Sequence, residues 1–510
     1  MPDKILVTNY SALKSKYGPK GLKAVLDAVS LMMAADKDRG LSTLIVDMSD
    51  PAKMKKYKGA AVTKPTNERQ CKDAVDAIYG VAKPDYLVIL DGPDVVPHLR
   101  LTNPTPGDKD KDVPSDLPYA SDAPFTKRDA AAYAAVTRVV GRIPGITGAK
   151  DADFLVKLIK TAANFKTRKR NDYLPHFAIS AEVWRESTEE SVDNTFGSKT
   201  IKTCPPTGTA GVGRLLSPLM HFINCHGGES DPQFYGQRGG QYPVSMTSDN
   251  VARYASRNTI VAAECCFGAQ LYDPVFADGK WPIPNAYLNA GAVGYFGSTT
   301  IAYGPPEGNG AADLLTQYFL IDVLAAASLG RACLQARQKF VLSQKMEDPV
   351  NLKTLAQFIL LGDPSLQACL SDQADAKAMS KVIDQSAARE TRRVFLFAAG
   401  KSAAESSGFP GKKLARPPKG LHNLVQKIAR QKGIRASRSN IEAFNIVGGA
   451  DYGKEMKARG VQQEVVVVTD HKEPPRKKAG RRSKALPVTR ILVAHAQDNR
   501  VIEVAEYIRR

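Results

Sequence analysis

The sequence predicts an α/β protein built on mostly parallel sheet, in two side-by-side βα subdomains followed by a small basic C-terminal region. Three observations lead there. Short apolar runs alternate with helix-patterned stretches through residues 1–370, the rhythm of βαβ units covered by helices. Apolar residues make up 43% and charged residues 24% of the 510, ordinary for a globular chain. The net charge of +19 is concentrated late: residues 371–510 hold about 29 Lys+Arg against about 14 Asp+Glu.

Ile5-Leu6-Val7-Thr8 reads as the first strand, residues 20–36 as a helix and Leu44-Ile45-Val46-Asp47 as a second strand. A helix near 70–80 leads to the strand Leu87-Val88-Ile89-Leu90, closed by the turn Asp91-Gly92-Pro93. Residues 103–130, rich in Pro, Asp and Lys, read as a long loop. Arg138–Pro144 is strand-like, and a helix spans about 150–167. A second βα series starts at His176–Ser180 and runs through Gly291–Phe296. The expected divisions are 1–145, 146–370 and a basic extension, 371–510. In that extension Val465–Val468 and Arg490–Val493 suggest a small strand pair.

No apolar run is long enough to span a bilayer, and Met1–Thr8 lacks the basic start and apolar stretch of a signal peptide. The seven cysteines are irregularly spaced, without a C-x-x-C pattern. A reducing cytoplasm is the expected setting, with no cofactor.

Two motifs carry chemistry. Leu219–Gly228 and Thr259–Gly268 each read as a buried strand ending in a glycine turn, one bearing His226 and the other Cys265-Cys266. In open α/β sheets, sites form beyond the carboxyl ends of strands. A thiol and an imidazole there are the minimum for nucleophilic attack on an acyl carbon. The imidazole takes the thiol proton and later protonates the leaving amine. Adjacent cysteines point to opposite faces in extended backbone, so only one meets His226; Cys266 is favoured and Cys265 is the alternative. Gly227 and the Cys266 backbone N–H are candidate oxyanion donors.

His221, Cys225 and His226 lack a second ligand cluster, and the turn Gly304–Gly310 lacks a P-loop lysine. Neither metal catalysis nor a phosphate cradle is expected. The basic tail reads as a solvated extension, as a binder of nucleic acid or another polyanion, or as a segment that docks a partner protein or masks the cleft.

The chain resembles the gingipain-type cysteine peptidases, relatives of caspases, over residues 1–370. The resemblance rests on Pro84–Asp91, Val140-Gly141-Arg142-Ile143-Pro144, His226-Gly227-Gly228, Glu264–Ala269, Gly294–Thr299 and Leu361–Leu366. It implies a caspase/gingipain-like fold and a thiol protease that acts on protein or peptide substrates through a thioester, with cleavage after Arg or Lys. By the same resemblance Glu182 orients His226, Asp193 floors the specificity pocket, and Ser298 and Tyr303 line it. The C-terminal segment does not resemble the family's C-terminal modules. The competing expectation is a non-catalytic caspase-like scaffold whose basic tail recruits nucleic acid or a partner.

Overall fold

Runs of Val, Ile and Leu five residues long are too short for buried helices and suit strands covered on both faces. In the computed structural model, which describes residues 1–370, 397–415, 417–437, 439–448, 462–473 and 487–510, they do become strands. In chain order these are β1 (Lys4–Thr8), β2 (Thr43–Asp47), β3 (Tyr86–Leu90), the hairpin of β4 (Leu99–Thr102) and β5 (Asp112–Ser115), and β6 (Val140–Ile143). Then come β7 (His176–Ala181), β8 (Lys202–Cys204), β9 (Met220–Asn224), β10 (His226–Gly227), β11 (Gln233–Tyr235) and β12 (Val244–Thr247). The second βα series ends with β13 (Ile260–Ala263), β14 (Gly294–Ser298), β15 (Tyr303–Gly304) and β16 (Phe358–Gly362).

Ten of these form one sheet, in the order β2-β1-β3-β6-β16-β14-β13-β9-β7-β8. Every pairing is parallel except β14 with β16. The two βα series are therefore halves of one continuous sheet running in opposite directions. The late strand β16 sits at the seam, where Leu361 pairs with Arg142 of β6. Lys4 pins the seam from the other end of the chain: its buried Nζ lies 2.6 Å from both Asp36 and Asp363.

The Pro-rich stretch 103–130 is anchored rather than loose. The fully buried Arg142 guanidinium bonds Asp116 at 2.6 and 2.8 Å and the carbonyls of Asp91 and Val96. His98 adds a third contact to Asp116 at 2.9 Å. Burying a guanidinium is costly unless its donors are met, and this network meets them.

The C-terminal region differs most from expectation. The Val465–Val468 and Arg490–Val493 segments do pair, Val467 against Val493 and Val468 against Leu492. They belong to a larger sheet of β17 (Gly408–Lys413), β18 (Ile441–Gly448), β19 (Gln463–Lys472), β20 (Val488–Gln497) and β21 (Arg500–Arg509). Alternation sorts its side chains onto two faces. Val466, Val468, Leu492 and Ala494 pack under the helix Lys419–Gln431, against Leu421, Val425 and Ala429. Val465, Val467, Ile491 and Val493 face the other way and form an apolar cluster with Ile301, Tyr303, Val350 and Cys266. The basic residues Lys427, Arg430 and Lys432, on and just past that helix, are exposed. Residues 371–396 and most of the Lys472–Lys484 segment lie outside the described residues.

The sheet does not end with its own strands. β21 continues onto the second βα series, pairing antiparallel with β15, Tyr303 opposite Arg509 and Gly304 opposite Ile508.

Candidate active site

β9 and β13 are parallel neighbours, Ile223 beside Ala263, so the segments leaving their C-terminal ends emerge at one sheet edge. After β9 the chain turns through Cys225 and delivers His226 on β10, paired with Tyr235 of β11. The His226 ring is buried, tilted on Trp184 with centroids 4.3 Å apart and edge-on to Tyr242 at 5.2 Å. Its Nε2 lies 2.7 Å from Gln237 Oε1.

After β13 the chain makes a tight turn. Phe267 has φ of 54°, the left-handed region that few side chains occupy. Phe267 N–H donates to the Thr300 carbonyl at 2.8 Å, and Gly268 N–H to that of Cys265 at 3.0 Å. Ser298 Oγ also donates to the Cys265 carbonyl at 2.8 Å, so Ser298 braces the turn and its hydroxyl is not turned to a ligand. Cys265 falls into the main core, its Sγ 3.8 Å from the Ile223 carbonyl. Cys266 faces the opposite side, toward β15 and β21. Gly227 lies against this turn: a Cβ there would come within 1.9 Å of the Cys266 carbonyl oxygen.

Between the thiol and the imidazole stands Arg510. Its backbone N–H donates to the Ala302 carbonyl at 2.9 Å, and its carbonyl oxygen touches Cys266 Sγ. Its backbone also hydrogen-bonds His226. The guanidinium drops into a closed pocket, with Nη2 2.9 and 3.0 Å from the two Asp313 oxygens and the Trp184 ring 4.7 Å away. Gly304 forms the near wall, where a Cβ would meet Arg510 Nε and Nη2 at 2.2 Å. Glu264 lies behind Asp313. Burial and the Asp313 charge push its carboxyl well above the usual carboxylate range.

Burial governs the titration of both groups. It pushes the Cys266 thiol up, only partly opposed by the Arg509 charge. It takes His226 down to about 3 despite the Gln237 bond, and the Arg509 and Arg510 charges push the same way. Both shifts favour the neutral forms, thiol and imidazole.

Of the residues expected from sequence, His226, Gly227 and Cys266 come together around one backbone carbonyl. Tyr303 is wholly buried at the same wall, on β15. Glu182 does not contact His226 but pairs with Arg238, and Gln237 holds the imidazole instead. Asp193 sits half-exposed on the helix Arg185–Phe196, 3.9 Å from Lys199; the acid in the pocket is Asp313. Trp184, Gln237, Asp313 and Arg510 carry no sequence signal that singles them out. Asp313 follows a glycine-rich turn at the start of a helix, where an acidic residue is common for dipole reasons alone. Among the described residues, no group of three or more His, Cys, Asp or Glu side chains could hold a metal ion. Among the same residues, no helix is long and apolar enough to cross a membrane.

Residues 218–368, which contain both motifs and Asp313, match the family model described as Peptidase family C25. No curated protein matches the chain significantly. Among solved structures, the chain is similar to the Arg-specific cysteine proteinase gingipain R at 11% identity and a TM-score of 0.48, covering 99% of this chain and 97% of that one. A separase from a Saccharomyces cerevisiae separase–securin complex matches at 11% identity and a TM-score of 0.29, covering 45% and 14%. The segment similar to family C25 is thus the one that bears the thiol, the imidazole and Asp313.

Proposed function

We propose that the protein is an endopeptidase that cleaves after arginine, with Cys266 as nucleophile and His226 as acid–base. The observation that carries this reading is the seating of Arg510: its carbonyl lies at the Cys266 sulfur, its backbone on His226, and its guanidinium on Asp313. A substrate arginine placed the same way presents its acyl carbon to the sulfur. His226 accepts the thiol proton as the S–C bond forms, and the tetrahedral oxyanion develops near the Gly227 and Cys266 N–H groups. His226 then gives the proton to the leaving amine, the C–N bond breaks and a thioester remains. Water, deprotonated by His226, attacks the thioester and releases the new carboxylate and the thiol.

Gln237 supports the imidazole from Nε2, the part that the family resemblance gives to Glu182. Arginine suits this pocket because its guanidinium lies over the Trp184 ring while Nη2 reaches both Asp313 oxygens. A reducing, cytoplasmic setting belongs to the same reading and is supported by the burial of all seven cysteines outside any disulfide.

The test is cleavage-site profiling by mass spectrometry, in which full-length wild type, Cys266→Ala and Cys265→Ala are each given a mixed peptide library. New termini should follow arginine and vanish with Cys266→Ala alone. Equal cleavage by wild type and Cys266→Ala would reject the assignment.

A further inference from the structure

The strand that fills the cleft is part of the chain itself. β15 belongs to the catalytic half and has no other strand partner among the described residues; β21 adds to it in antiparallel register. Addition of an extended segment to a free sheet edge is how peptides are commonly recognised: main-chain bonds give affinity and side-chain pockets give selectivity. Both components are present. Arg510 lies in the Asp313 pocket, and Arg509 points back over the thiol, buried among Cys266, Tyr303 and Asp110. The second subsite is acidic as well: Asp108 and Asp110 meet at the buried Lys353, and the Asp110 charge acts on Arg509.

We propose that Ile508-Arg509-Arg510 is a tethered substrate-like ligand, which keeps the peptidase latent and marks the cleft as one for extended segments with two consecutive basic residues. The inference rests on the peptidase reading above and adds its regulation. β21 is hydrogen-bonded along its length to β20, and the rest of that sheet packs on the catalytic half, so the ligand acts at high effective concentration. It is not fully matched, however. Arg510 Nε and Nη1 have no hydrogen-bond partner among the described residues. Unmet buried donors weaken a bound state, so a better-satisfied competitor strand can displace the tail. Tyr507, three residues back, donates to Asp348 at 2.7 Å and fixes the register in which Arg510 arrives.

The test compares full-length wild type, Arg510→Ala and Arg510→Lys, with Cys266→Ala as the labelling blank. One readout is the rate of iodoacetamide alkylation of Cys266, followed by peptide mapping. The other is hydrolysis of a fluorogenic Arg-Arg peptide. Arg510→Ala should label at Cys266 at least tenfold faster than wild type and cleave the peptide at least tenfold faster. Added acetyl-Ile-Arg-Arg-amide should restore protection to that variant. Arg510→Lys should fall between the two. Equal labelling of wild type and Arg510→Ala, with unchanged melting temperatures, would overturn the inference. If wild type then still cleaves in a Cys266-dependent way, the peptidase reading survives alone. Faster labelling with no cleavage by any variant would remove the peptidase reading, and latency with it.

Discussion

Asp313 and Arg510 form a closed ion pair: neither side chain is exposed, and Nη2 lies within 3.0 Å of both carboxylate oxygens. The pair joins the first turn of the helix Ala312–Leu324 to the end of β21 across nearly two hundred residues of chain. Breaking a buried pair by removing one partner costs far more than a surface pair is worth, about 3–5 kcal/mol.

Asp313→Asn keeps the shape of the pocket and removes the charge. Its kcat/KM on arginyl peptides should fall by roughly 10²- to 10⁴-fold, the kinetic equivalent of that cost. Because Arg510 loses the same partner, Cys266 should also become easier to alkylate. Undiminished arginyl cleavage by this variant would place the specificity acid elsewhere.

Gly304→Ala should act through volume. The added methyl overlaps the position of Arg510 Nε and Nη2, so no long basic side chain seats correctly. Misplacement by an ångström costs roughly 100-fold, and steady-state kinetics on an arginyl peptide should show at least that. A variant that cleaves normally would show that the pocket opens elsewhere.

The support of His226 gives a contrast between two residues. Gln237→Ala removes the only hydrogen-bonded side chain on Nε2 among the described residues and should lower kcat by roughly tenfold or more, part of the 10²–10⁴ a placed acid–base supplies. Glu182→Gln disturbs only a partly exposed pair with Arg238 and should stay within about threefold. The reverse order in measured kcat would restore Glu182 as the orienting group.

Acid should destabilise the fold through its buried histidines. His226 and His221 are held down to about 3 and His495 to about 4, burial being the leading cause for each. An unfolded histidine titrates near 6.5. Above that pH both states are neutral and the stabilisation is complete. As pH falls below it the unfolded chain takes up protons that the fold refuses. The stabilisation is then lost down to pH 3–4, by about 1.4 kcal/mol per pH unit for each histidine. Denaturant midpoints measured from pH 7.5 to 4.5 should fall, and His495→Gln should lessen the slope. Flat midpoints across that range would contradict it.

Much of the fold is legible in the sequence because β-branched pentapeptides between helix patterns leave little choice. The thiol and imidazole are legible for the same reason: glycines after buried strands mark chain ends at a sheet edge. The residues that escape have a physical explanation in each case. Gln237 and Asp313 lie on loop and helix segments whose composition has a commonplace reading. Asp193, by contrast, is reached only by aligning through a charge-rich stretch that forms an ordinary solvated helix, where nothing holds an acid against a cation. The charge of the tail draws attention to its surface lysines, and these obscure a two-faced sheet. The Val465–Val468 run records that sheet plainly, since four consecutive valines need cover on both sides. Arg509 and Arg510 look like two more surface cations because only the tertiary fold carries them to the cleft.

The valine-lined face that joins the C-terminal sheet to the catalytic half has a practical consequence. Oily seams of this kind do not fall apart when the connecting peptide is severed. A nick introduced between residues 370 and 397 should yield two fragments that co-elute on gel filtration under native conditions and separate only in denaturant. Processing at that point would alter the bands on a gel while leaving the thiol as shielded as before.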